Sequence, residues 1–236
     1  MKSQNIDYTE GSTALEGFAA YEEGGRRPGV LVVPEWQGVN DVSRKRAQML
    51  CELGYNALVA DIYGKGVRPT TMEACAAESG KYRENRPLLR ARARAALDEI
   101  RKLPGTDSAQ VAAIGYCFGG MTVLELARDG ADVKGIVSFH GALNTPNTGD
   151  AKNIRGKVLA LHGADDPLVP PAEVAAFENE MRSARVDWQL VAYGGAVHSF
   201  TNFSLPENQP GPIAYNKKAD QRSWRAMQDF FKEIFA

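Results

Sequence analysis

The feature that most constrains this chain is a series of short apolar runs without polar alternation, separated by stretches of helical periodicity. GVLVVPE (29–35), NALVADIYG (56–64), VAAIGY (111–116), KGIVSFH (134–140), KVLALHG (157–163) and VDWQLVAY (186–193) all have strand length. A run that does not alternate belongs to a strand covered on both faces. Helical patterns fall at 42–53, ending at Gly54, and through much of 71–102, with a break expected at Pro87. Others fall at about 119–129, at about 171–184 behind Pro170 and Pro171, and at about 216–235, where Trp224, Met227, Phe231 and Ile234 or Phe235 recur at helical spacing. Residues 4–9 and 14–21 read as a hairpin around Glu10-Gly11-Ser12. Strands alternating with helices require right-handed crossovers, hence a mainly parallel central sheet with helices on both faces. Ligands of such sheets collect at the carboxyl ends of the strands.

With 236 residues, 44% of them hydrophobic, the chain suits one domain spanning 1–236, and no repeat or low-complexity linker divides it. Its 28 basic and 29 acidic residues leave a net charge of −1, which argues against a nucleic-acid or anionic-membrane partner. No apolar run approaches the roughly 18 residues that span a bilayer. The opening MKSQNIDYTEGS lacks the apolar core of a secretory signal, so a cytoplasmic location is expected if residue 1 is the true start. Cys51, Cys75 and Cys117 make an odd count with no CxxC spacing, which suggests neither a disulfide framework nor a zinc site. Three free thiols fit a reducing compartment.

GYCFGG (115–120) lies between the run VAAIGY and the helical MTVLELA. It has the G-x-nucleophile-x-G form of the turn that presents a nucleophile above the sheet in the α/β-hydrolase fold, with cysteine in the place of serine. Gly115 and Gly119 suit a turn too tight for side chains, and Gly120 removes a Cβ near the strand–helix junction. The sulfur of Cys117 would stand at a helix N-terminus, where amides and the macrodipole favour negative charge. A nucleophile needs a base and a group that orients the base. Only His140, His162 and His198 can serve as the base. His198, in the glycine-flanked YGGAVHSF, follows the acidic HGADDPLVP, which gives the order nucleophile, acid, histidine. Of the two carboxylates Asp166 is favoured, because it stands directly before Pro167 in a turn; Asp165 reads as turn-forming, with the reverse assignment left open. His140 and His162 precede the acid in the chain and read as structural residues lining the pocket floor. In this fold the loop after the first parallel strand supplies part of the oxyanion hole, so the backbone amides of Trp36 and Phe118 are the expected donors. Glu35, beside Trp36, would oppose a thiolate by repulsion and so suggests gating of the nucleophile.

GYCFGG, PEWQGVN, DDPLVP and GGAVHSF together resemble the dienelactone hydrolase family, over nearly the whole chain from about residue 10. The resemblance implies an α/β-hydrolase fold and a cysteine, aspartate and histidine triad at Cys117, Asp166 and His198. It also implies a gating glutamate at Glu35 that holds the resting cysteine, and neither metal nor organic cofactor. One position departs from the pattern. Members acting on dienelactone hold the substrate carboxylate with arginines, one of them four residues after the histidine, where this chain has Asn202. Ser199 matches. The second arginine has no clear counterpart among Arg68, Lys81, Arg83 and Arg86. Ser199, Asn202, Tyr82 and Arg86 are the candidate substrate-binding residues, and loss of a bidentate arginine shifts the expected substrate to a neutral small ester or lactone. Arg86, Arg90 and Arg94 share a helix face at i, i+4 and read mainly as solvated or ion-paired.

The expected activity is therefore hydrolysis of small activated esters through a thioester, with promiscuous hydrolysis of organophosphate triesters as a side activity. Competing readings are a redox-sensing thiol protein and a non-catalytic binding module on the same fold. The expected assembly is a monomer or homodimer. Segments 64–90 and 201–215 are both loop-rich enough to form a lid.

Overall fold

The computed structural model describes residues 1–236. Eight strands lie in the order β1-β2-β4-β3-β5-β6-β7-β8, mostly parallel, with helices between them. The chain divides into two compact units, Met1–Ile114 and Gly115–Ala236. No helix is long and apolar enough to cross a membrane.

The first unit opens with the hairpin β1 (Lys2–Glu10) and β2 (Thr13–Tyr21), antiparallel throughout and turned at Gly11, whose φ of +55° suits glycine. Then come β3 (Arg27–Val33), α1 (Asp41–Glu52), β4 (Asn56–Val59), α2 (Met72–Glu84), α3 (Arg86–Ile100) and most of β5 (Thr106–Tyr116). β4 pairs antiparallel with β2 and parallel with β3. All four of its residues are buried, as an unalternating strand requires. Helix α1 is capped by Asn40, which exchanges bonds with Ser43 in a capping box. Just past β4, the buried carboxylate of Asp61 accepts from the amides of Glu16, Tyr63 and Gly64. Arg68 completes this knot, bonding Asp61 and the carbonyls of Gly64, Val67 and Glu16.

Several boundaries differ from the sequence expectation, and three of the differences have a local cause. The helical stretch breaks at Asn85 and not at Pro87. Asn85 ends α2, and its side chain accepts from the Leu88 amide to open α3, with Pro87 in the first turn. A missing N–H costs nothing there. β5 begins at Thr106, five residues earlier than its apolar run, because its first residues TDSAQ are partly exposed. β4 stops at Val59, and the residues after it form the Asp61-centred turn.

The second unit contains α4 (Phe118–Arg128), β6 (Gly135–Phe139), a 3-10 helix (Thr148–Asn153), β7 (Lys157–Gly163), α5 (Pro171–Ala184), β8 (Trp188–Tyr193) and α6 (Lys217–Ile234). β6, β7 and β8 are parallel, with Phe139 beside Leu161 and His162 beside Ala192. That register aligns the carboxyl ends, so whatever follows each strand emerges at one edge. α6 buries Ala219, Ser223, Met227, Phe230, Phe231 and Ile234, a stripe centred away from Trp224. Arg128, fully buried at the end of α4, makes a two-toothed bond to Glu180 of α5 at 2.8 and 2.7 Å.

Candidate active site

The strand–helix junction at Cys117 admits only glycines on both sides. A Cβ on Gly115 would lie 2.0 Å from the carbonyl oxygen of Gly119, and one on Gly120 would lie 2.6 Å from Ser138 Oγ. Cys117 itself is forced to φ 52° and ψ −114°, a backbone conformation that costs a side-chain-bearing residue energy. The Cys117 amide is held at that angle by the Phe139 carbonyl at 3.0 Å and by His140 Nδ1 at 3.1 Å. α4 starts at the next residue, so the Phe118 amide occupies the positive end of the helix dipole.

The half-buried sulfur lies 3.0 Å from Nε2 of His198, and Nδ1 of that ring lies 2.7 Å from Asp166 Oδ2. The other oxygen of Asp166 accepts from the Leu168 amide at 2.8 Å, which fixes the carboxylate in the turn after β7. A carboxylate can only accept, so Nδ1 carries a proton. The two neighbouring aspartates part ways here. Asp165 Oδ2 accepts from the Gly195 amide at 3.0 Å and pins the loop that leads to the histidine.

The His198 loop is held from behind. Its amide donates to the Pro212 carbonyl at 3.1 Å, and its carbonyl accepts from Ala214 at 3.2 Å. Asn216 adds a bond from its amide to the Phe200 carbonyl and one from its side chain to the Gly195 carbonyl. Segment 201–215 is thus tied to the histidine loop as a buttress, which argues against its serving as a lid. Ser199 is buried at φ 56°, beside the histidine. Asn202 is buried too, and its amide oxygen takes the Ser204 amide at 3.0 Å and hydroxyl at 2.6 Å.

Burial works against a charge on His198. The Cys117 sulfur and the hydrogen bonds of the ring to Asp166 and Cys117 outweigh it and raise the imidazolium pKa to about 10. Burial moves His162 the other way, against the pull of Asp166 and Glu173.

The remaining expected residues belong to the first unit. Glu35 and Trp36 follow β3, in a turn closed by the Gly38 amide on the Glu35 carbonyl at 3.0 Å. The Trp36 carbonyl accepts from Tyr63 Oη at 2.8 Å. Tyr82 of α2 is buried and donates to the Tyr63 carbonyl at 3.0 Å, while Arg86 is the first residue of α3. One further residue beside Cys117 and His198 reads in the sequence as structural. His140 contacts the Cys117 backbone directly, and the sole hint in the sequence is its place at the end of the strand beside β5.

Comparison with known proteins places the chain in a family. The family model described as the dienelactone hydrolase family matches residues 15–235. The structure of a protein called m3DLH is 44% identical over 100% of this chain and 99% of its own, with a TM-score of 0.95. A dienelactone hydrolase-like promiscuous phosphotriesterase, P91 from metagenomic libraries, is 43% identical with the same coverage and a TM-score of 0.94. A relative from Methylorubrum extorquens, named "Putative carboxymethylenebutenolidase", is 27% identical over 89% of this chain and 74% of its own length.

Proposed function

The chain belongs to the dienelactone hydrolase family and is a hydrolase acting on ester bonds; from that premise we propose that it cleaves small activated carboxylic esters and lactones with Cys117 as nucleophile. The observation that carries the reading is the relay of 3.0 Å from sulfur to imidazole and 2.7 Å from imidazole to carboxylate at a strained strand–helix turn. In the first step the sulfur, its proton taken by His198, attacks the ester carbonyl carbon. The carbonyl electron pair moves to oxygen, which the Phe118 amide and the α4 N-terminus stabilise. The intermediate collapses, the C–O bond breaks, and the departing oxygen takes the proton from His198. In the second step His198 draws a proton from water, hydroxide attacks the thioester, and the sulfur leaves to recover its partner. Asp166 keeps the ring in the tautomer both steps need. A thiolate expels alkoxides poorly, so enol and phenol leaving groups are preferred.

Asn202 supports a neutral substrate. It stands where the family resemblance expects an arginine, and its amide oxygen is already engaged by Ser204. A second activity has an observation of its own in the 43% identical phosphotriesterase neighbour. A neutral phosphotriester with a phenolic leaving group also gathers charge on oxygen as the sulfur attacks, so the same groups would stabilise it.

Mixing the protein with a p-nitrophenyl ester and quenching in acid tests the proposal. A burst of nitrophenol close to one equivalent is expected, with the acyl mass on the peptide containing Cys117. Steady turnover with no burst, in protein whose Cys117 is fully alkylated, would remove the cysteine from the reaction.

His198 also predicts a pH profile. With its pKa raised to about 10, the ring can protonate a leaving oxygen at lower pH and loses that ability as pH rises through about 10. For alkyl esters kcat/KM is expected to fall on that limb. For p-nitrophenyl esters, whose leaving group needs no proton, the limb should be absent; identical profiles for both would contradict the assignment of His198 as the acid.

A further inference from the structure

The mechanism above gives no task to His140, yet this side chain is buried against both halves of the relay. The Cys117 amide divides its hydrogen between the Phe139 carbonyl and His140 Nδ1, at 3.0 and 3.1 Å. An amide can only donate, so Nδ1 must be the unprotonated nitrogen. The proton of the neutral ring therefore sits on Nε2, which faces Thr201 Oγ1 at 2.7 Å. Thr201 lies three residues beyond His198. The His140 ring also meets the His198 ring edge to face, with centroids 5.5 Å apart, and the Phe200 ring in the same manner at 5.1 Å. Its own backbone amide is anchored to the Leu161 carbonyl at 2.8 Å, and its φ of 40° turns the side chain back over the junction.

We propose that His140 is a positioning residue: a neutral imidazole, protonated on Nε2, that joins the turn carrying the sulfur to the loop carrying the catalytic histidine. The proposal rests on the reading of Cys117 and His198 given above. Its physical content is a fixed tautomer between two strained turns. Cys117 at φ 52° and Ser199 at φ 56° both need outside support, and His140 bonds to Cys117 itself and to Thr201, two residues past Ser199. Second, it keeps the group beside the His198 imidazolium uncharged. A protonated His140 would lose its acceptor for the Cys117 amide and place a like charge beside His198.

Nitrogen-15 NMR of the imidazoles in the intact protein reads the tautomer directly. A neutral ring with its proton on Nε2 across the pH range of activity is expected for His140; a proton on Nδ1, or on both nitrogens, would overturn the proposal without any variant being made. Three variants read the consequence. His140→Leu removes both bonds, His140→Asn keeps an acceptor near the Nδ1 position, and Thr201→Val removes only the far arm. His140→Leu should lower kcat by up to about 100-fold with little change in KM, the cost of a nucleophile displaced by about 1 Å. His140→Asn should recover part of that loss and Thr201→Val should lose less. Burst acylation of Cys117 should slow in the same order. Wild-type kcat and acylation rate in His140→Leu would defeat the positioning role while leaving the nucleophile intact. Failure of the wild-type protein to acylate at Cys117 would instead strike the reading of the site itself. The two failures are therefore separable.

Discussion

Cys117→Ala is expected to lower kcat/KM toward an activated ester by about 10⁴-fold or more while the protein stays folded, the scale of loss when a nucleophile acting within a unit is deleted. The residue is half-buried, so removing its sulfur leaves no large cavity, and the glycines that shape the turn are untouched. The residual rate would come from the Phe118 amide and helix end acting on water, the same source that leaves triad-deleted enzymes above background. Circular dichroism and a melting curve check the fold; stopped-flow hydrolysis checks the rate. The same variant carries an independent signature. The Cys117 sulfur is among the causes that raise His198, so its removal should bring the imidazole pKa down from about 10, since burial then meets less opposition. An imidazole that still titrates near 10 in Cys117→Ala would show that Asp166 alone holds it there. Retained hydrolysis in that variant would mean that the relay does not carry the chemistry.

Much of this site was legible because it is built from strand ends. A nucleophile turn needs glycines on both sides of one residue, and GYCFGG displays them between an apolar strand and a helix. Asp166 and His198 each follow an apolar run, and parallel pairing of β7 with β8 brings those runs level. Asp166 is preferred over Asp165 because the turn before Pro167 can aim its carboxylate at the histidine, and it is Asp166 that bonds His198 while Asp165 accepts from the Gly195 amide. The boundaries that escaped prediction did so for equally local reasons. Pro87 reads as a break until Asn85 is seen to cap α3 ahead of it. The polar start of β5 carries no apolar signal, although its backbone still forms strand.

What linear pattern could not reach is side-chain traffic across long loops. Nothing near His140 announces that its ring bonds the amide of a residue 23 positions earlier, because the contact depends on its φ of 40° and on the angle of Cys117. Segment 201–215 looks loop-rich in one dimension, whereas in three it lends carbonyls and amides to the His198 loop. Arg68 was one of several cations available for a substrate carboxylate. Its guanidinium is instead committed to Asp61 and to three backbone carbonyls. Arg128 carries no sign of burial in the sequence, yet its side chain is fully buried.

Arg128→Met is accordingly expected to destabilise the protein by about 3–5 kcal/mol, the range for removing one member of a buried charge cluster. For a chain of this size that is a fall in melting temperature of about 6–20 °C. The guanidinium bonds Glu180 through two nitrogens, Glu125 at 3.1 Å and the Leu143 carbonyl at 2.8 Å, with all three side chains buried. Methionine fills most of the volume, so the loss reports charge: Glu125 and Glu180 would be left close together without the cation between them. Replacing the whole cluster should restore stability, because three apolar groups incur no desolvation cost. Arg128→Met combined with Glu125→Leu and Glu180→Leu is expected to melt near the wild type or above it. The site should feel the single variant as well. Leu143 lies just past His140, its carbonyl held by Arg128 and its amide by Glu173 at 2.6 Å, so one anchor of the loop after β6 disappears while those to Glu173 remain. A moderate fall in kcat at temperatures well below melting would report that loosening. Equal melting temperatures for Arg128→Met and wild type would show that the two glutamates are neutralised without the arginine, and the cluster would lose its claim as the brace between α4 and α5.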